Sequence, residues 1–110
     1  KNRQKSFLEV KNVTFFRNKD TAEFPDAVTE RGTKHLLALI DAIKKGYKSY
    51  LLFLVQIQSM EKFKIAKDID SEYYDNYLKA KKAGVNFLAY RCDISSKKIF
   101  IDKKLKIIHD

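Results

Sequence analysis

Residues Tyr50 to Ile57 read YLLFLVQI, a nearly continuous apolar run with aromatic and β-branched members. Such a run reads as a central strand covered on both faces. Its flanks set the fold class.

Upstream, Leu36, Leu39, Ile40 and Ile43 recur at i, i+3, i+4 and i+7, the pattern of a helix with one buried face. Gly46 ends that helix, and Lys44 and Lys45 suit the dipole of its last turn. Asp26 and Thr29 are its candidate N-caps, while Gly32 weakens the first turn. Further upstream lies FLEVKNVTF, Phe7 to Phe15, whose alternation reads as a strand. The polar stretch RNKDTAEFPD, after Phe16, reads as a loop.

Downstream, Ser59 to Lys67 reads as a connection. Ser71 to Ala83 is a second helix, with Tyr74, Tyr77, Leu78 and Lys81 at helical spacing, Asp70 or Ser71 as cap and Gly84 as stop. Val85 to Tyr90 is a third strand and Lys98 to Ile101 a fourth, with DISSKK turning between them. The order β-α-β-α-β-β predicts a single α/β domain over residues 1–110. Its central sheet is mixed and flanked by helices, parallel through the crossovers and closing in an antiparallel hairpin.

The 110 residues are 45% hydrophobic and 34% charged, which favours folding over disorder. The longest apolar run is far too short to span a bilayer, so a soluble, cytoplasmic protein without a membrane partner is expected. The single cysteine, Cys92, excludes an internal disulfide and reads as a buried structural thiol. The formal charge is +9, a balance often associated with nucleic acid. Only four of the basic residues are arginines, however, and a lysine-rich composition gives the same charge.

Three clusters carry candidate chemistry. Glu9 and Lys11 share one strand face with Phe7 and Val13. A Glu there suits a divalent cation and a neighbouring Lys suits a phosphate or a water, although a salt bridge explains the pair equally well. Arg31 and His35 are four apart on the first helix and share a stripe with Ala38 and Ala42. They suit a ligand above small residues, or an Arg31–Asp26 pair with His35 packed at the sheet edge. Gln56 is a lone polar residue in the apolar strand, tied to a backbone group or facing the Glu9 site across the sheet. His109 reads as solvated. No phosphate-binding glycine loop, dinucleotide fingerprint, zinc-protease motif or serine elbow is present.

EVKNVTF, FPDAVTERGTKHLLAL, YLLFLVQ, IDSEYYDNYLKAKKAGVNFLAY and ISSKKIFI together resemble the sugar fermentation stimulation protein family, SfsA, over nearly the whole chain. The resemblance implies a restriction-endonuclease-like, PD-(D/E)xK fold, the C-terminal domain of a protein that also carries an N-terminal OB-type domain. It implies a Mg²⁺- or Mn²⁺-dependent DNA or RNA nuclease, with Glu9 as metal ligand and Lys11 as its catalytic partner. It places Arg31, Lys34 and His35 on nucleic acid, with Asp26 and Gln56 lining the cleft. The alternative that it carries is a non-catalytic DNA-binding regulator of sugar (maltose) metabolism genes. The family's preceding strand, with a first metal-binding Asp in an SRxDF-like context, has no counterpart here. The chain is therefore expected to be either a fragment or a truncated gene product, with one matched metal carboxylate and inactive alone.

Overall fold

The apolar run falls in β4 (Lys48–Val55), an inner strand of a mixed sheet, in a computed structural model that describes residues 5–95 and 98–109. The sheet also contains β1 (Ser6–Val13), β6 (Asn86–Ser95) and β7 (Lys98–Lys104), in the order β1-β4-β6-β7. The first three run parallel, and β7 returns antiparallel to β6. The two crossovers contain α1 (Glu30–Lys44) and α2 (Ser71–Ala83).

From β1 to β4 to β6 the chain always steps in the same direction across the sheet. Right-handed crossovers taken in one direction put both helices on the same face. That explains the burial of β4. Leu51, Phe53 and Val55 are buried with Leu36, Leu39 and Ile40 of α1 and Tyr73, Tyr77 and Ala80 of α2. Tyr50, Leu52 and Leu54, on the other face, are only half-buried. The strand expected to be covered on both faces is thus fully covered on one.

A second four-stranded sheet was not expected. It contains β2 (Phe15–Asn18), β3 (Thr21–Phe24), β5 (Lys62–Ile65) and β8 (Lys106–Ile108), in the order β2-β3-β5-β8. The polar stretch read as a loop is largely the β2–β3 hairpin, and the connection Ser59–Lys67 contains β5, parallel to β3. These strands are three or four residues long, too short for their alternation to stand out. Their pairing and the burial of Ala22, Phe63 and Ile65 hold them. Phe53 meets Phe63 at 4.4 Å between ring centroids, which joins the two sheets through one core.

Both helix starts are locked by side chains. Thr29, of the two candidates, caps α1 by accepting from Gly32 N at 2.9 Å. Asp70 caps α2 by accepting from Tyr73 N at 3.0 Å. Its other oxygen accepts from Thr29 N at 2.8 Å, so one buried carboxylate ties the two helix starts together. Gly84 ends α2 in the left-handed region, with φ 113°.

Several expectations shift in detail. The first strand ends at Val13, and Phe15 belongs to β2. Tyr73, not Tyr74, is the deeper aromatic of α2. His109 Nε2 lies 2.8 Å from the Tyr77 hydroxyl, so it is paired rather than simply solvated. Asp93–Ser95 extend β6 where a turn was expected, and Ser96 and Lys97 lie outside the described residues, as do residues 1–4. Cys92 is buried, and burial pushes its thiol pKa up, as suits a structural thiol. Among the described residues no helix is long and apolar enough to cross a membrane.

Candidate functional site

Strand alternation sends Glu9, Lys11 and Val13 of β1 to the helix side of the sheet, and Leu8 and Val10 to the other. Val13 is buried in the core, while Leu8 and Val10 are exposed. Toward the open end of the strand the covering thins, and the charged pair occupies that stretch. Lys11 Nζ lies 3.2 Å from Glu9 Oε2, with the Lys11 side chain 15% exposed and that of Glu9 32%. The pair is therefore partly desolvated, where charge interactions are stronger than at a free surface.

α1 brings the third member. Its buried stripe of Leu36, Leu39 and Ile40 sets the helix on the sheet, and His35 follows on the flank that faces β1. His35 Nδ1 stands 2.6 Å from Lys11 Nζ and 3.0 Å from Glu9 Oε2. An ammonium has only donors, so Nδ1 accepts from Lys11 when it carries no proton. The neutral ring then holds its proton on Nε2, which is left as a donor. Beside the cluster runs an open groove of about 320 Å³, lined among others by Phe7, Glu9, His35, Ala38, Ala42 and Tyr47. The small residues Ala38 and Ala42 do lie beside the basic stripe, and the Phe7 and Tyr47 rings meet at 5.2 Å.

The remaining candidates are more scattered. Arg31 is exposed in the first turn of α1, one turn from His35, and no described ion pair joins it to Asp26. Asp26 is exposed just after Pro25. Lys34 lines a separate hollow with Thr29, Glu30, Asp70 and Glu72. Gln56 is not brought to Glu9. Its side-chain amide donates to Asn12 Oδ1 at 2.8 Å, and Asn12 alternates with Lys11 onto the opposite face. Its backbone N–H donates to Val13 O at 2.9 Å.

Sequence reasoning missed Tyr73 as the fully buried aromatic of α2 and Asp70 as the tether between helices. The burial of Tyr73 raises its pKa, and the Glu9 and Asp70 carboxylates add to that effect. It also missed the ion pairs that hold β2 and β3. Arg17 Nε donates to the buried Glu23 Oε2 at 3.0 Å, and Arg17 Nη1 to Asp68 Oδ2 at 2.7 Å. Glu23 lies in the stretch read as a loop, so nothing in the pattern marked it as buried.

Fold and cluster define a mixed α/β protein with a carboxylate–ammonium–imidazole site on an edge strand of a largely parallel sheet. The comparison with known proteins is then specific. The chain belongs to the sugar fermentation stimulation protein family, whose RE-domain model matches residues 1–98. It is 74% identical over 109 residues to a sugar fermentation stimulation protein homolog of Pelagibacter ubique, covering 99% of this chain and 47% of that one. It is 41% identical over 104 residues to the homolog of Bartonella quintana, covering 94% and 44%. The chain thus spans a little under half the length of these relatives. The structure of Pyrococcus furiosus SfsA in complex with Ca²⁺ matches with a TM-score of 0.85 at 25% identity, over 93% of this chain and 44% of that one.

Proposed function

We propose that this chain is the nucleic-acid-binding part of a metal-dependent DNA or RNA nuclease, with a restriction-endonuclease-like fold and Glu9 and Lys11 as its E-x-K pair. The observation that carries this reading is the meeting of Glu9, Lys11 and His35 within 3.2 Å beside an open groove. The net charge of +9 favours a phosphate backbone as partner. The likeness to a relative studied with Ca²⁺ favours a divalent cation, Mg²⁺ or Mn²⁺ in the working enzyme.

The described residues do not by themselves complete a cation site. They contain no group of three or more His, Cys, Asp or Glu that could hold a metal, and Glu9 offers one carboxylate. Mg²⁺ demands near-ideal octahedral geometry and is reluctant to lose its waters. The chemistry of this chain's own groups is clearer. The Lys11 ammonium donates to a non-bridging oxygen of the scissile phosphate and opposes the charge that builds there. The Nε2 proton of His35 is a second donor to the same phosphate. Glu9 accepts a hydrogen bond from the attacking water. Arg31, one turn away, holds the adjoining backbone, a contact that positions without reading sequence.

The second reading is a DNA-binding regulator without catalysis. It is favoured by the contacts that Glu9 already makes with Lys11 and His35, which make the cluster a self-contained ion pair. One experiment decides between the two. The whole protein is incubated with single- and double-stranded DNA and RNA, with Mg²⁺, Mn²⁺ or EDTA, beside Glu9→Ala. Metal-dependent cleavage that the variant loses supports the nuclease. Binding without cleavage, indifferent to EDTA, supports the regulator.

A further inference from the structure

Phe7 is 43% exposed, although it lies on the helix side of β1 with Glu9 and Lys11. It lines the groove of about 320 Å³ that also takes in Glu9 and His35, so an open aromatic ring and the charged cluster share one hollow. The chain holds that ring in place. Tyr47 packs against it at 5.2 Å between centroids, with the planes tilted by 57°. Tyr47 is itself pinned on two sides. Its backbone N–H donates to Ala42 O at 3.0 Å, after Gly46 has turned the chain off α1 at φ 91°. The next N–H, of Lys48, donates to Lys5 O at 3.2 Å, just before β1. Ala38 and Ala42, one helical turn apart, line the same groove with a methyl each, which leaves room for a flat group.

Two carboxylates line the groove, and both are offset. Glu9 lies 3.2 Å from Lys11 and 3.0 Å from His35, and Asp41 lies 3.0 Å from Lys45. The hollow is thus apolar and aromatic at its Phe7 end, with the Lys11 and His35 donors at its Glu9 end. A nucleotide has the same two parts: a base with a flat π face, and a phosphate that takes donors. In a duplex the faces of a base are covered by its stacked neighbours, so only an unstacked base offers one to a protein ring. We propose that Phe7 is a stacking platform for one unpaired base of single-stranded DNA or RNA, propped by Tyr47, while Lys11 and His35 take the adjoining phosphate. The stacked base rests on the nucleic-acid reading of this site and adds to it the form of the substrate.

The whole protein is titrated with single-stranded and duplex oligonucleotides of one sequence, once in EDTA and once with Ca²⁺. A series of single strands carries the fluorescent base 2-aminopurine at successive positions. Wild type is expected to bind the single strand more tightly than the duplex and to quench 2-aminopurine at one position by stacking. Phe7→Ala is expected to abolish that quenching and to weaken single-strand binding about 5- to 150-fold, the range for one lost base–aromatic stack, with duplex binding unchanged. Phe7→Leu keeps apolar bulk without a π face and is expected to behave as Phe7→Ala does, whereas Phe7→Trp keeps both binding and quenching. If Phe7→Ala fails to fold, the Leu and Trp variants decide. Equal losses on single strand and duplex, or wild-type binding by Phe7→Leu, overturn the platform. Binding that Arg31→Ala weakens and Phe7→Ala leaves intact also overturns it, while keeping the nucleic-acid reading of the site. Wild type that binds neither form overturns both.

Discussion

Lys11 Nζ and His35 Nδ1 stand 2.6 Å apart, although 24 residues separate them in the chain. The contact makes a strand lysine and a helix histidine one unit, with Glu9 Oε2 within 3.2 Å of both. In the nuclease reading the lysine acts on charge that develops at the phosphate. Lys11→Ala is therefore expected to lower cleavage by about 10²–10³-fold, the scale for a lost charge-stabilising donor. Binding of the same oligonucleotide, followed by fluorescence anisotropy, should change little. Equal losses in both assays would make Lys11 a binding residue.

Arg31 is exposed, one turn before His35 on α1, and in the nuclease reading it contacts the phosphate backbone. Arg31→Ala should weaken binding uniformly across sequences. It should also flatten the plot of log K against log salt by about 0.7–0.9, the share of one phosphate contact. Anisotropy titrations at several salt concentrations measure the slope. An unchanged slope removes Arg31 from the interface.

Gly32 tests the packing over Tyr73. In an open helix Gly→Ala gains up to about 1 kcal/mol. Here the added Cβ would meet Thr29 Cγ2 at 2.8 Å and Tyr73 Cε1 at 3.1 Å. Thr29 is the N-cap and Tyr73 is fully buried, so neither yields freely. Gly32→Ala should destabilise by about 1–3 kcal/mol, the usual cost of overpacking. Urea unfolding reads the change directly, and a gain in stability would contradict the described contact.

Asp68 gives a pH signature. Its hydrogen bonds to Arg17 hold the carboxyl at about 2, below the ordinary 3.8. Because the folded value is the lower one, this contribution is complete above the unfolded pKa and is lost as pH falls toward the folded one. The window runs from about pH 4 down to about pH 2. Asp68 is 66% exposed, so the contribution is modest and weakens with salt. Urea midpoints measured through that window should fall less steeply in Asp68→Asn than in wild type.

Local patterns read well from the chain. α2 runs over Ser71–Ala83 as its spacing predicts, because Asp70 caps it and Gly84 takes the left-handed stop. Glu9 and Lys11 share a face because strand periodicity requires it, and β6 and β7 pair antiparallel as expected. Long elements with one apolar face carry their own signal. The short strands β2, β3, β5 and β8 do not, because three or four residues show little period. The resemblance to the family rested on whole motifs such as FPDAVTERGTKHL, which no count of charges or spacing supplies.

The sequence by itself determined the two helices, the four strands of the first sheet and the E-x-K pair on one face, because each depends on neighbours in the chain. The tertiary structure alone decided that both helices cover the same face, that His35 reaches Lys11, and that Gln56 turns away to Asn12. It alone buried Glu23 against Arg17 and, among the described residues, left the buried Tyr73 hydroxyl without a partner. These are contacts between residues distant in the chain. Their distances are set by the direction of the crossovers and by the packing of side chains in a shared core, neither of which is written in any single stretch.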